Sequence, residues 1–543
     1  MGGPQVTPAS RSRVDDLMAR MTLEQKVGQV MMIGFDGTAL PTDLREMIEQ
    51  YFIGGVILYE RNVESPRALA QLDADMQNAA QQNGQPGLFI SIDQEGGIVA
   101  RLKEEKGFSE FPGAMAIAAT GDPGNARLMA GALAAELKAL GINMDLAPDL
   151  DVNNNPANPV IGARSFGSDP ARVAAFGTAF IEGLQANGIM AVGKHFPGHG
   201  DTGVDSHVAL PTVPHDRARL EAVEFVPFKA AMKAGVAGIM SAHITFPAID
   251  PTPGLAATLS PKVLTGLVRD EMRYDGLLMT DSLAMGALAQ SGYPVPQAAA
   301  TALKAGADVL LFNNGYELHR QAHRLIVDWV QRGVIPQARL DEAVRRVLSA
   351  KERFGLLDGV SINVEAAASQ SGTEPHRALA RQVSAQSITL LRDDAGLLPL
   401  KPDAKLFVVE TGSFGLGKLL AATTMQTGAN PKPAEISTIV ERGKEGRTLI
   451  VLTSDTAKNR AQADLVNALL AAKVPVIVVA ARAPYDLLWF KAAPTYLAVY
   501  NTSAPTLAAL AAVLNGTAKP QGHLPVEMPG LYALGDGLTA WPH

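Results

Sequence analysis

Residues 169–194 read DPARVAAFGTAFIEGLQANGIMAVGK, and they contain one full repeat of the fold. Asp169 is placed to cap the free N–H groups of a helix, Pro170 suits its first position, and Gly188 suits its end. Between them Val173, Phe176, Phe180 and Leu184 recur at helical spacing on one face. The run Met190–Lys194 that follows is apolar on both faces, as a buried parallel strand is. Outward from this unit, similar short runs recur at 27–35, 55–59, 88–93, 142–147, 238–243, 277–281 and 308–313. Eight strands with helical stretches between them predict an α/β fold of the (β/α)8 TIM type, whose functional groups gather at the C-terminal ends of the strands. Asp93, Asp149, Asp151, Lys194, His195, His243, Asp281 and Asn313 each end or follow one of these runs.

From about residue 320 to 357 the pattern is helical again, ending in the amphipathic RLDEAVRRVLSAKERFGLL. The next segment, DGVSINVEAAASQSGTEPH, is small and polar and reads as a linker. Beyond it SITLLRD, KLFVVETG, TLIVLTSD, VPVIVVAAR and TYLAVYN alternate with helical or loop stretches. The expected organisation is a catalytic barrel with C-terminal helices over 1–357, a linker over 358–376, and a smaller α/β sandwich domain on a largely parallel sheet over 377–543.

The composition narrows the chemistry. The 543 residues carry a formal charge of −7 and no cysteine. The charge, with no extended Lys/Arg cluster, speaks against nucleic acid as the main ligand and for a small neutral or mildly acidic substrate. The cysteine count removes disulfides, thiolate nucleophiles and iron–sulfur clusters. No stretch reaches membrane-spanning length without charges or breakers. The first thirty residues hold no uninterrupted apolar signal core, so a cytoplasmic chain is expected as the sequence stands, or a secreted or cell-envelope protein where a signal was removed.

The densest reactive cluster is KHFPGHGDTGVDSH, residues 194–207, where Pro197 and three glycines predict a mobile loop at the face where a barrel builds its site. Its imidazoles and carboxylates could ligate a metal, but the Pro-Gly between His195 and His199 breaks the helix that would align the pair, and no metal or other cofactor is expected. His199 and Asp201 read as internal ties of the loop. In Asp205-Ser206-His207 the carboxylate can accept from one ring nitrogen, fix the tautomer and leave the other nitrogen for proton transfer. Asp281 ends the apolar strand of GLLMTDSLAMGAL and faces the barrel mouth. A carboxylate there can stabilise or covalently trap the cationic centre of glycosidic cleavage while a proton donor serves the departing oxygen. In SIDQEGGIVARL, Asp93 and Arg101 suit sugar hydroxyls.

With these residues in view, the chain resembles glycoside hydrolase family 3, and within it the two-domain form of the NagZ-type β-N-acetylglucosaminidase branch. The likeness runs through DQEGG (93–97), FPGAMAIAAT (111–120), NPVIGARSFG (158–167), KHFPGHGDT (194–202), DSH (205–207) and TDSLAMGAL (280–288), and into the second domain through SITLLRDDAGLLPL and HLPVEMPG. It implies a retaining mechanism in which Asp281 forms the glycosyl-enzyme and the Asp205–His207 dyad is acid and base. It also implies that Asp93, Arg101, Arg164, Lys194 and His195 hold the sugar, and that terminal β-linked N-acetylglucosamine of muropeptides, peptidoglycan or chitin fragments is the substrate, in cell-wall turnover. Ile98 departs from the arginine that many relatives carry after EGG. Phosphorolysis of the same glycosides, a β-glucosidase specificity and a non-catalytic sugar-binding role remain as alternatives, and the second domain is assigned no catalytic residue.

Overall fold

The computed structural model of the protein describes residues 12–206 and 209–542. Eight strands form the first sheet: β1 (Met31–Gly34), β2 (Gly55–Leu58), β3 (Phe89–Ile92), β4 (Met144–Asp145), β5 (Met190–Phe196), β6 (Gly238–Ser241), β7 (Leu277–Thr280) and β8 (Leu310–Phe312). All neighbours are parallel and follow chain order, β8 returns to β1, and a parallel bridge between Met279 and Val309 closes the ring. This is the expected (β/α)8 barrel. Side chains alternate along the strands: Met32, Ile57, Phe89, Met144, Met190, Met240, Met279 and Leu311 fill the interior, while neighbours such as Ile33, Ile90 and Ile239 pack outward beneath the helices. Val347 and Leu356, from the end of the helical segment after β8, plug the interior.

Helix Pro170–Ala186 forms as its sequence predicts. The Asp169 side chain accepts from the Arg172 N–H at 2.8 Å, Pro170 opens the helix, and Val173, Phe176, Phe180 and Leu184 are buried. Seven of the eight barrel strands are shorter than the runs that predict them, and the first is shortened most. Residues 27–29 complete helix Leu23–Gln29, capped by Thr22 and Gln25, and β1 begins only at Met31. The apolar run spans the end of one element and the start of the next, which hydropathy does not separate.

The small, polar stretch after the barrel is not extended. It contains helix Val364–Gln370, capped by Asn363, and the start of helix Glu374–Ser387. Ala367, Ala380 and Val383 join the barrel's outer core, since a run of alanines allows close helix packing as readily as it suits a linker.

The second sheet holds β9 (Thr389–Asp393), β10 (Leu406–Glu410), β11 (Thr423–Gln426), β12 (Thr448–Thr453), β13 (Val476–Ala480) and β14 (Thr495–Ala498). Its order is β11-β10-β12-β13-β14-β9, parallel except for β9 against β14. Polar edge strand β11, sequence TTMQ, carries no hydrophobic pattern and escaped the sequence reading. Apolar layers cover both faces of this sheet, and Met115, Ala116, Ala119 and Ala163 of the barrel belong to one of them. Polar contacts reinforce the junction: the Tyr485 hydroxyl donates to the Asn153 carbonyl at 3.0 Å, and the Glu527 N–H donates to Ser168 Oγ at 2.9 Å. No helix among the described residues is long and apolar enough to cross a membrane.

Candidate active site

At the C-terminal ends of the strands lies a cavity of about 390 Å³. Strand ends deliver four of its charged or polar residues, while Arg101 and Arg164 reach it from the longer loops after β3 and β4. Asp93 follows β3, Lys194 and His195 lie at the C-terminal end of β5, and Asp281 follows β7, its N–H donating to the Ser241 carbonyl at 3.1 Å. Asp93, Arg101, Arg164, Lys194, His195 and Asp281 all line this cavity, so six residues scattered over 189 positions of sequence meet there.

Their contacts form one network. Lys194 Nζ donates to Asp93 Oδ1 and to Glu95 Oε1, each at 2.8 Å. Arg101 reaches Asp93 Oδ2 at 3.3 Å. Arg164 grips Glu95 with two parallel bonds, Nε at 2.9 Å and Nη2 at 2.7 Å. His195 turns Nδ1 to Asp151 Oδ2 at 2.7 Å, which leaves Nε2 on the Arg164 side at 3.4 Å. Asp151 also accepts from the backbone N–H of His195 and, at 2.6 Å, from that of His199. One buried carboxylate therefore fixes both the His195 ring and the start of the 197–206 loop.

The electrostatics follow from burial opposed by pairing. Burial alone pushes the carboxyls of Asp93 and Glu95 up, but Lys194 with Arg101, and Arg164 with Lys194, outweigh it and hold both below their ordinary values. Asp281 is also held low. Burial raises it, and His195, His243 and the Ser282 N–H, which donates to Oδ1 at 2.6 Å, bring it down. Asp149 is the opposite case: burial and the adjacent Asp151 charge raise its carboxyl well above the ordinary range, with Arg164 3.8 Å away. Burial first, then Arg164, pushes His195 down to about 4, so its ring is neutral at pH 7.

Two backbone features aim these groups. Gly96 and Gly97 take φ of +84° and +60°, and a Cβ on Gly96 would sit 2.7 Å from the Pro112 carbonyl oxygen. That turn sends Glu95 inward and brings Arg101 back over Asp93. Gly200 lets the loop after β5 lie on Val152, where a Cβ would come within 1.9 Å of the carbonyl oxygen.

In that loop His199 is tied at both ring nitrogens, to Thr202 Oγ1 at 2.8 Å and Ser206 Oγ at 3.0 Å, and Asp201 pairs with His215. His199 is an internal tie, as the sequence suggests, whereas Asp201 ties the loop to His215 beyond it. Asn158 pins the same loop from outside, its Nδ2 donating to the carbonyls of His199 and Gly200 at 2.8 and 3.0 Å. Ser206 lines the cavity and Asp205 lies one residue before it, while His207, expected as the proton donor, lies outside the described residues. Asp149, Asp151 and His195 have donor atoms close enough to share a cation, as do Asp201, His215 and Glu224. In the first group Arg164 already supplies positive charge and Asp151 is committed to three N–H contacts.

Sequence reasoning gave Glu95 and Tyr59 no place in the site, and noted Asp151 after a strand without assigning it a role. Glu95 was visible inside DQEGG and Asp151 two residues after a strand-end aspartate, but nothing local distinguishes a charge that holds a ligand from one that holds another side chain. Tyr59 lines the cavity with Arg61 Cζ 4.3 Å above its ring, and burial and the Asp93 charge keep its hydroxyl protonated.

Comparison with known proteins agrees with this architecture. Residues 22–350 match the glycosyl hydrolase family 3 N-terminal domain, and residues 388–533 match the family's C-terminal domain. A solved family 3 β-N-acetylglucosaminidase from Paenibacillus sp. str. FPU-7 is similar in structure, with a TM-score of 0.89 and 38% identity, covering 94% of this chain and 100% of that one. Beta-hexosaminidase A of Pseudoalteromonas piscicida is 37% identical over 71% of this chain and 70% of its own. A Cellulomonas fimi protein named beta-N-acetylglucosaminidase/beta-glucosidase is 29% identical over 94% of both.

Proposed function

Because the chain belongs to glycosyl hydrolase family 3, a family of glycoside hydrolases, we propose that it removes terminal β-linked N-acetylglucosamine with retention of configuration, through a covalent intermediate on Asp281. The observation that carries this reading is the contrast between the two carboxylates lining the cavity. Asp93 is paired with Lys194 and Arg101, whereas Asp281 is ionised, faces the same space and has no ion pair among the described residues. A paired carboxylate is suited to holding hydroxyls, and an unpaired one to attack.

In the first step an Asp281 oxygen bonds to the anomeric carbon as the bond to the leaving oxygen breaks, and His207 gives that oxygen its proton. In the second, His207 takes a proton from water, the water oxygen bonds to the anomeric carbon, and the ester to Asp281 breaks. Asp205 orients the His207 ring and stabilises its charged form. Asp93 accepts from sugar hydroxyls while Lys194, Arg101 and Arg164 donate, and neutral His195 adds a ring nitrogen fixed by Asp151. The two relatives named for N-acetylglucosaminidase activity and the one named a hexosaminidase support an N-acetylated sugar in this site. Muropeptides, peptidoglycan or chitin fragments are the natural sources, with cell-wall turnover the setting.

The test is hydrolysis of 4-nitrophenyl N-acetyl-β-glucosaminide with and without phosphate, followed by NMR. The expected first product is the β-configured sugar, with phosphate leaving the rate unchanged. Sugar 1-phosphate that appears only with phosphate would make the enzyme a phosphorylase, and a faster rate on the glucoside would make it a glucosidase.

A further inference from the structure

The loop Asn153–Arg164 is a partition with a cavity on each side. Val160 and Arg164 face the site that holds Asp281. Asn155, Asn158 and Gly162 line a second cavity of about 380 Å³ between the barrel and the second domain. Its far wall is built by Lys458, Arg460, Arg482 and Trp489.

That wall has an unusual charge for this chain. The protein as a whole carries −7, yet three cations converge on the second cavity. Arg482 is neutralised by Asp455 at 2.6 Å. Lys458 and Arg460 are exposed and have no carboxylate partner within ion-pair distance among the described residues. The other acid of the lining, Asp486, is buried and accepts from the Thr456 N–H at 2.8 Å, and burial pushes its carboxyl up to about 6. Trp489 is 37% exposed, although a side chain of that size usually buries its ring, and the Arg460 guanidinium lies over it. Opposite stand Asn155 and Asn158, whose amides are engaged with the 197–206 loop and with their own turn.

The part of the indole that Arg460 leaves open suits the apolar face of a sugar ring, and two cations without a carboxylate partner, one of them stacked on that indole, suit an anionic substituent. We propose that this interdomain cavity is a second ligand site, which binds a saccharide bearing a carboxylate, with the ring against the part of Trp489 that Arg460 leaves open and the carboxylate between Lys458 and Arg460. The choice of a sugar over another ring rests on the glycosidase reading of the neighbouring site, and the charge preference does not. The ligand is either the aglycone of a substrate whose terminal sugar lies in the first cavity or a separate acidic sugar.

The test is calorimetric titration of the full chain with N-acetylglucosamine carrying a carboxylic acid on a short ether arm, and with its methyl ester. The wild type is expected to bind the acid at least tenfold more tightly, with the preference shrinking in salt. The exposed pair Lys458→Ala/Arg460→Ala should bring acid and ester within about twofold, and Trp489→Ala should weaken both. Equal binding of acid and ester by the wild type, or a preference that survives the double substitution, overturns the proposal. A second arm identifies the source. If kcat/KM for β-N-acetylglucosaminyl disaccharides favours the acid aglycone, and the double variant loses that preference while still hydrolysing the nitrophenyl glycoside, the ligand is the aglycone. If binding is selective and the rates are not, it is a separate sugar. Failure of nitrophenyl hydrolysis in the wild type would sink the glycosidase reading and leave the titration readable.

Discussion

Arg164 and Glu95 face each other through two parallel hydrogen bonds of 2.9 and 2.7 Å, and the free side of the Glu95 carboxylate takes the Lys194 ammonium at 2.8 Å. Glu95 is thus the shared counter-ion of two residues that reach the active site, and its own side chain is 4% exposed.

Glu95→Gln keeps the shape and removes the charge, leaving two buried cations with one fewer anion. Breaking a buried pair in this way costs about 3–5 kcal/mol. The expected result is a large drop in melting temperature at pH 7 and a loss of kcat/KM of roughly a hundredfold. Because the Glu95 carboxyl is held below its ordinary 4.5, its contribution is complete above that pH and fades as pH falls through the lowered value. Wild type and variant should therefore converge in stability in strong acid. Melting curves across pH check this, and an unchanged melting temperature at pH 7 would refute it.

Asp281→Asn should abolish turnover, by about 10⁴-fold or more, with little effect on folding, since no ion pair is broken. In the wild type, the acid-side fall of kcat/KM that belongs to Asp281 should lie below pH 3.8, because the carboxyl is depressed from that value. A fall centred well above pH 4 that matches Asp281 titration by NMR would contradict the electrostatic account.

Gly200→Ala places a methyl group where the Val152 carbonyl oxygen stands, and the loop that leads to Asp205 must lift. A destabilisation of about 2 kcal/mol is expected together with at least a tenfold loss of kcat, larger than the loss in substrate binding. Steady-state kinetics beside a denaturant titration would show it, and wild-type kcat would count against the role of this close approach.

At the opposite end of the barrel Lys351 is fully buried, bonded to Gln29 Oε1 at 2.9 Å with its Nζ 5.1 Å from the centre of the Phe89 ring. Burial lowers it from 10.5 to about 7. The unfolded chain then binds more protons than the folded one between those two values, so the cost is greatest at and below pH 7 and disappears towards pH 10.5. Lys351→Met should stabilise the protein at pH 7 by on the order of 2–3 kcal/mol, after the lost ring contact is counted, and by little at pH 10. Equal effects at both pH values would show that burial does not lower the pKa of the amine in the fold.

The sequence by itself determined the repeat of strand and helix, the caps of Pro170–Ala186, the second α/β unit, and the strand ends at which Asp93, Lys194, His195 and Asp281 stand. These are local properties, set by periodicity and by where a polar residue interrupts an apolar run. It could not separate helix 23–29 from β1, detect polar edge strand β11, or distinguish a linker from the helix at 364–370, because in each case the deciding contacts come from another part of the chain. The partners of the charges were decided only by tertiary structure. Glu95 and Asp151 matter because barrel closure brings β3, β4 and β5 side by side, so that carboxylates far apart in sequence face Lys194, Arg164 and His195 in a space too dry to leave them unpaired. The interdomain cavity exists for the same reason. Its two walls come from residues 153–162 and 455–489, and only the packing of one domain on the other sets them face to face.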